Sequence, residues 1–224
     1  MGQVIGDILP LALAVAICPL PIIAVILMLF SDGARSKSLA FLLGWVVGIA
    51  VAMTVLISVA STQSLSAGGA PSDTSSWIKL ILGLLLVVAA AGQWRKRPTP
   101  GEEAAMPGWM AKIDTLGPLG AIGLGILLSA LNPKSLLLIA GGAITIAQAD
   151  LSSTDTAIVV GVFTLIGAST VAIPALGYLF LGAKIQPALN EAKAWLSLHN
   201  AAVMAVLLLL IGVTLFGKGL GALL

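Results

Sequence analysis

Polar residues in this chain fall into a few short gaps, and between the gaps the sequence is apolar for about the 20 residues that a bilayer-spanning helix needs. Six such stretches are predicted as spans, at residues 8–30, 39–60, 77–94, 117–147, 156–181 and 200–216. The gaps are a polar turn at 31–38, a Ser-, Gly-, Ala- and Thr-rich loop at 61–76, and a charged, proline-containing linker at 95–116. They end with a turn holding Asp150 and Asp155 and an amphipathic connector at 184–199. The first stretch lacks the basic start and clean cleavage site of a signal peptide and is read as a retained span. In the linker, Trp109, Met110 and Ile113 are spaced to lay a short segment on the membrane surface with those side chains toward lipid.

Two spans contain residues that a straight membrane helix does not tolerate cheaply. In the first, Pro19 and Pro21 have no N–H to give, which frees the carbonyls of Val15 and Ile17 for another donor. The fourth is longer than one straight span requires and holds Asn132-Pro133-Lys134-Ser135 at its centre. Aligning Cys18-Pro19 on Asn132-Pro133 gives an offset of 132 − 18 = 114 residues, about half the chain. The halves therefore read as copies, 1–94 and 117–224, joined by the linker at 95–116. Three spans per copy is an odd number, so the second copy enters the membrane from the opposite side. The expected fold is an all-α integral membrane protein: six transmembrane helices in two inverted-topology three-helix repeats, with broken first and fourth helices.

Composition agrees with the pattern and narrows the chemistry. With 59% hydrophobic and 9% charged residues and a mean hydropathy of +1.12, the chain has too few polar side chains to cover a soluble globule. A net charge of +2 gives no reason to expect nucleic acid. The lone cysteine, Cys18, excludes an internal disulfide, and with one histidine, His199, there are too few ligands for a Cys/His metal cage. No cofactor and no metal are expected. Arg35, Lys37, the basic group from Arg95 to Lys112, Lys184 and Lys193 all fall on loops that six spans place on one side. The positive-inside rule makes that side the cytoplasm of a multi-pass plasma-membrane protein, with the 95–112 linker inside and both termini outside. Lys218 is the exception.

The fourth-span break reads as a binding site. Asn132 suits an N-cap and Pro133 the first helical position, so a half-helix begins there with its positive end inside the bilayer. The Lys134 ammonium has no mid-span acid to pair with, so its partner is an anionic substrate group or cavity water. Ser135 adds a hydroxyl, and Cys18, Pro19 and Pro21 bring the second half-helix to the same centre. The plain alternatives are a structural kink at each proline, a Lys134 that snorkels to the surface, and a Cys18 that only fills space. Any coupling to protons would use Asp7, near the outer end of the first span, or Lys134, and the alternative is no proton coupling at all. Gly44 and Gly48 form a GxxxG that serves either packing within the chain or a homodimer. With no paired carboxylates and no Ser/His/Asp set in the spans, the chain is expected not to be an enzyme.

A proline motif at Cys18–Pro21 and Asn132-Pro133-Lys134-Ser135, on two three-span halves, resembles the lysine exporter superfamily of small efflux proteins. Over its full length, including the basic Trp-containing linker, the chain resembles in particular the actinobacterial glycopeptidolipid-addressing and sulfolipid-addressing protein group. Pro19-Leu20-Pro21 departs from the Pro-Gly-Pro of the amino-acid exporters, which argues against an amino-acid substrate. The resemblance implies translocation of a cell-envelope lipid or glycolipid by alternating access. The alternative is a membrane-embedded enzyme or accessory subunit of envelope lipid or glycan modification. Thiol–disulfide electron transporters share an inverted three-helix repeat, but need one cysteine in each half, and here Asn132 stands opposite Cys18.

Overall fold

The computed structural model describes residues 1–64, 73–97 and 108–221. Its helices are α1 (Gly2–Ala16), α2 (Pro19–Leu29), α3 (Ala34–Ser64), α4 (Asp73–Arg95), α5 (Pro118–Ile126), α6 (Pro133–Ala147), α7 (Ser153–Leu181) and α8 (Gln186–Gly221). A 3₁₀ segment, Gly108–Thr115, precedes α5, a π-turn at Leu127–Leu131 prolongs α5, and a 3₁₀ turn, Gly182–Ile185, joins α7 to α8. There is no strand among the described residues.

Four stretches are long and apolar enough to cross a membrane: Ala34–Ser61, Ser76–Arg95, Ser153–Leu181 and Gln186–Gly221. Two more are bent pairs, Gly2–Ala16 with Pro19–Leu29 at 48° and Pro118–Leu131 with Pro133–Ala147 at 59°. Counting each bent pair as one broken span gives six crossings. The outward surface is apolar, with Leu165 74% and Phe180 83% exposed, as expected of an all-α integral membrane protein whose solvent is hydrocarbon.

Local signals explain the boundaries. The Ser152 hydroxyl accepts the Asp155 N–H at 3.1 Å to cap α7, and Gly182, at φ 58°, ends it. The connector expected at 184–199 is not a separate element. Nothing between Pro187, in the first turn, and Gly212 breaks a helix, so α8 absorbs it. The loop expected at 61–76 is trimmed from both sides, by α3 running to Ser64 and α4 starting at Asp73. The surface segment in the linker is a correction: Met110 and Ile113 face protein, at 5% and 1% exposure, because the 3₁₀ segment packs on α2. Lys37 fixes it there by donating to the Asp114 carbonyl at 2.9 Å and to the Ser31 hydroxyl at 3.3 Å. Trp109 and Lys112 lie outside the described side chains.

Glycines set the tightest crossings. A Cβ on Gly44 would lie 2.1 Å from the Ile122 carbonyl oxygen, and one on Gly125 would lie 2.5 Å from that of Phe41, so α3 and α5 touch backbone to backbone. Gly48, against Ser129 and Ile126, continues the same seam, so both glycines of the GxxxG are used within the chain. Gly83, Gly212 and Gly219 do the same for α4 and α8. At the centre Phe41 and Trp45 stack with centroids 6.4 Å apart, and the Trp45 indole N–H donates to the Gly167 carbonyl of α7 at 3.1 Å.

Several packings exchange when the halves are exchanged, while α1 against α6 and α2 against α3 have no such counterpart among the described residues. α3 against α5 matches α7 against α1, α3 against α6 matches α7 against α2, and α2 against α8 matches α6 against α4. The pairs α3–α7 and α4–α8 map onto themselves. One end of the bundle carries Ser31, Lys37 and Asp114. The other carries Asp7 and Lys218, paired at 2.6 Å, and Lys79, which donates to the Gln148 side chain.

Candidate functional site

α2 begins at Pro19 and α6 at Pro133, again 133 − 19 = 114 residues apart. The residue before each proline is extended, at φ/ψ −62°/114° for Cys18 and −71°/119° for Asn132. Proline dictates both: it disfavours α-helix in the residue before it and suits the first position of the next helix. Each break therefore restarts a helix inside the apolar stretch.

Different groups satisfy the backbone at the two breaks. At the first, Val15 accepts the Cys18 N–H at 3.3 Å in a tightened last turn, and the Ala16 carbonyl accepts the Thr170 hydroxyl from α7. Of the two carbonyls the prolines free, Val15 is thus served locally. At the second break the Asn132 side chain accepts the Lys134 N–H at 3.1 Å, and the Asn132 carbonyl accepts the Leu136 N–H at 2.9 Å. Ser129, fully buried, donates to the Gly125 and Ile126 carbonyls at 2.8 and 3.1 Å, where α5 loosens into its π-turn.

Burial also differs. Cys18, Pro19 and Pro21 are buried. Asn132 and Lys134 are half-buried, Pro133 is exposed, and Leu131 is 68% exposed. Ser135 is 1% exposed, and its hydroxyl has no hydrogen-bond partner among the described residues. The helix that leads into the first break packs on the helix that leaves the second, α1 on α6, and Cys18 and Lys96 are electrostatic neighbours of the Lys134 ammonium. No acid pairs with Lys134 among the described residues, where the one ion pair is Lys218–Asp7. The predicted residues thus divide into an open cationic half at Asn132–Ser135 and a closed apolar half at Cys18–Pro21. Asp7 is apart from both, at the terminal end, with its carboxylate already held by Lys218.

Three residues that matter to this arrangement escape the sequence reading. Thr170 and Ser129 satisfy the breaks but look like ordinary small polar residues. Lys79 had a usable signal, a lysine two residues inside an apolar stretch after Trp77, and lies beside Lys218 and Asp7 as well as Gln148. Among the described residues no group of three or more His, Cys, Asp or Glu side chains could hold a metal ion.

A bundle with two bent helix pairs meeting near an unpaired lysine defines a polytopic membrane protein built around paired broken helices. The chain belongs to the Sap, sulfolipid-1-addressing protein family, which it matches over residues 8–221. No curated protein and no solved structure matches it.

Proposed function

We propose that this protein is a secondary transporter that moves an amphiphile with an anionic or strongly polar headgroup across the plasma membrane by alternating access. The family gives the coarse role, lipid transport or addressing. The observation that carries the finer reading is Lys134, a half-buried cation with no acid partner among the described residues, at the start of a half-helix whose neighbouring Ser135 hydroxyl is also unpartnered. An ammonium inside hydrocarbon costs about 3 kcal/mol when left alone, and a bound anion offsets that cost. The positive end of α6 favours the same charge. A sulfolipid headgroup fits this requirement.

Alternating access draws support from the exchange of packings between the halves and from the 114-residue offset of the two breaks. In this reading the chain is two inverted repeats, 1–94 and 117–224, as in the lysine exporter superfamily, and the two halves rock about the central α3–α7 contact. The linker end, with Lys37, Arg95, Lys96 and Arg97, faces the cytoplasm, and both termini lie outside. The protein acts as a transporter and not as an enzyme.

The test is transport in proteoliposomes with fluorescent anionic and zwitterionic lipids, comparing wild type with Lys134→Ala and Lys134→Arg at matched reconstitution. The expected result is movement of an anionic lipid by wild type and loss in both variants, arginine failing because its planar fork does not reproduce a compact ammonium. Wild-type flux in Lys134→Ala would make Lys134 structural and remove the mechanism.

A further inference from the structure

Between α3 and α7, on the half of the bundle nearer Asp7 and Lys218, lies a groove of about 640 Å³ that the paired breaks do not use. Five hydroxyl side chains line it, Thr54 and Ser58 from α3 and Ser153, Thr156 and Thr164 from α7 or its first turn, and every other lining residue is apolar. Among the described residues no charged side chain lines it. Thr54 and Ser58 are exposed, so it opens sideways toward lipid. Thr54 and Ser58 donate to their own helix at 2.8 and 3.0 Å, leaving their oxygens free to accept. At the inner end the buried Thr164 hydroxyl has no partner among the described residues.

Dimensions limit what fits. From Ser153 to Leu165 the groove follows α7 for 12 residue steps, roughly 18 Å at 1.5 Å per residue. One leaflet of hydrocarbon is about 15 Å deep. The groove is thus as deep as one leaflet, narrow, mostly apolar, uncharged and edged with hydroxyls. Its inner end is close to the first break: Thr164 precedes Thr170 by six residues, and Thr170 holds the Ala16 carbonyl.

We infer that this groove is a lateral port that holds one ester-linked acyl chain of the amphiphile in the leaflet at the terminal end of the bundle. The chain lies along the apolar floor, the ester oxygens take hydrogen bonds from the Ser153 and Thr156 hydroxyls, whose protons are not committed to the helix as those of Thr54 and Ser58 are, and the headgroup is left to the charged region elsewhere. A charged occupant would meet no counter-charge, and a free sugar would leave the floor unpaired. The inference rests on the reading of the protein as a carrier of amphiphiles.

Gly161 gives a clean perturbation, because it lines the groove and a Cβ there meets nothing within 4 Å. Gly161→Leu adds bulk to the port at a position where its Cβ strikes no neighbour. The experiment is photo-crosslinking of the full chain in vesicles of phosphatidylglycerol doped with the same lipid bearing a diazirine in one acyl chain, with adducts mapped by mass spectrometry. Adducts on residues 50–58 and 153–165 are expected to exceed those on the equally lipid-exposed Leu210 and Val213 of α8 by about tenfold, a preference of about 1.4 kcal/mol. Gly161→Leu is expected to bring them down to the α8 level. Adducts that follow exposure alone, or an enrichment that survives Gly161→Leu, would overturn the port. Crosslinking reads occupancy without transport, so a failed port and a failed Lys134 mechanism give separable results.

Discussion

At Cys18 and at Asn132 the backbone makes the same turn before the same residue, yet the first break is packed shut and the second stands half open. Around Cys18 the structure behaves like a soluble core: buried prolines, a thiol, and a hydroxyl from α7 that quiets the Ala16 carbonyl. Around Asn132 it keeps an ammonium and a hydroxyl with no partner among the described residues, and its capping is done by the side chain of the break residue itself. The same backbone turn at the two breaks thus coexists with different chemistry. Two breaks alike in backbone need not share a role, and in the proposed reading only the second carries a ligand.

The comparison breaks most readily through the packing that seats the open half. Gly125→Val drives a side chain into the Phe41 and Trp45 backbone, whereas the Cβ of Gly123→Val, two residues away, meets nothing within 4 Å. The first is expected to cost about 3 kcal/mol or more, seen as loss of monodisperse protein in detergent, and the second to leave the apparent melting temperature near wild type. Equal behaviour of the two would mean that α3 and α5 do not cross as described.

Next in size is the closed half. Thr170→Val leaves the Ala16 carbonyl without its donor and is expected to cost about 2 kcal/mol, with transport per folded molecule retained. A loss of transport at unchanged stability would move function to the first break. Asn132→Ala removes the cap of α6 and is expected to cost about 1 kcal/mol. Cys18→Ala, which removes no hydrogen-bonded cap, is expected to lower the melting temperature less, and the reverse order would contradict the asymmetry of capping. Smallest is Asp7→Asn: the Lys218 pair is 42% and 37% exposed, and such pairs contribute no more than about 1 kcal/mol. Transport by Asp7→Asn within a factor of two of wild type would leave Asp7 as a latch at the terminal end, and a lost pH-gradient dependence would make it the proton carrier.

The breaks were legible because proline constrains its predecessor and its own position in any surroundings, so Pro19 and Pro133 announce helix starts from sequence alone. Span number followed from apolar length for the same reason. The division of labour between the breaks was not legible, since Cys18 and Asn132 are buried or exposed by what packs around them, and that depends on α7 and α5. Met110 and Ile113 show the same limit. Their spacing gives an apolar face, but whether lipid or α2 covers it is decided by tertiary structure. Lys79 was hidden by an apolar average, which a single charge at a span end scarcely changes. The groove between α3 and α7 left no sequence signal, because hydroxyls 100 residues apart look like scattered serines and threonines.

The central claim is that a positive charge at the open break is what the substrate meets. It is tested most directly in a Lys134→Cys variant on a Cys18→Ala background, treated in proteoliposomes with an aminoethyl methanethiosulfonate that puts an ammonium back at position 134. The account predicts that transport of the anionic lipid is lost in the variant and regained on modification, while the same reagent leaves the buried Cys18 of the wild type unmodified. Modification that restores no transport, or a wild-type Cys18 that reacts as readily, would contradict it.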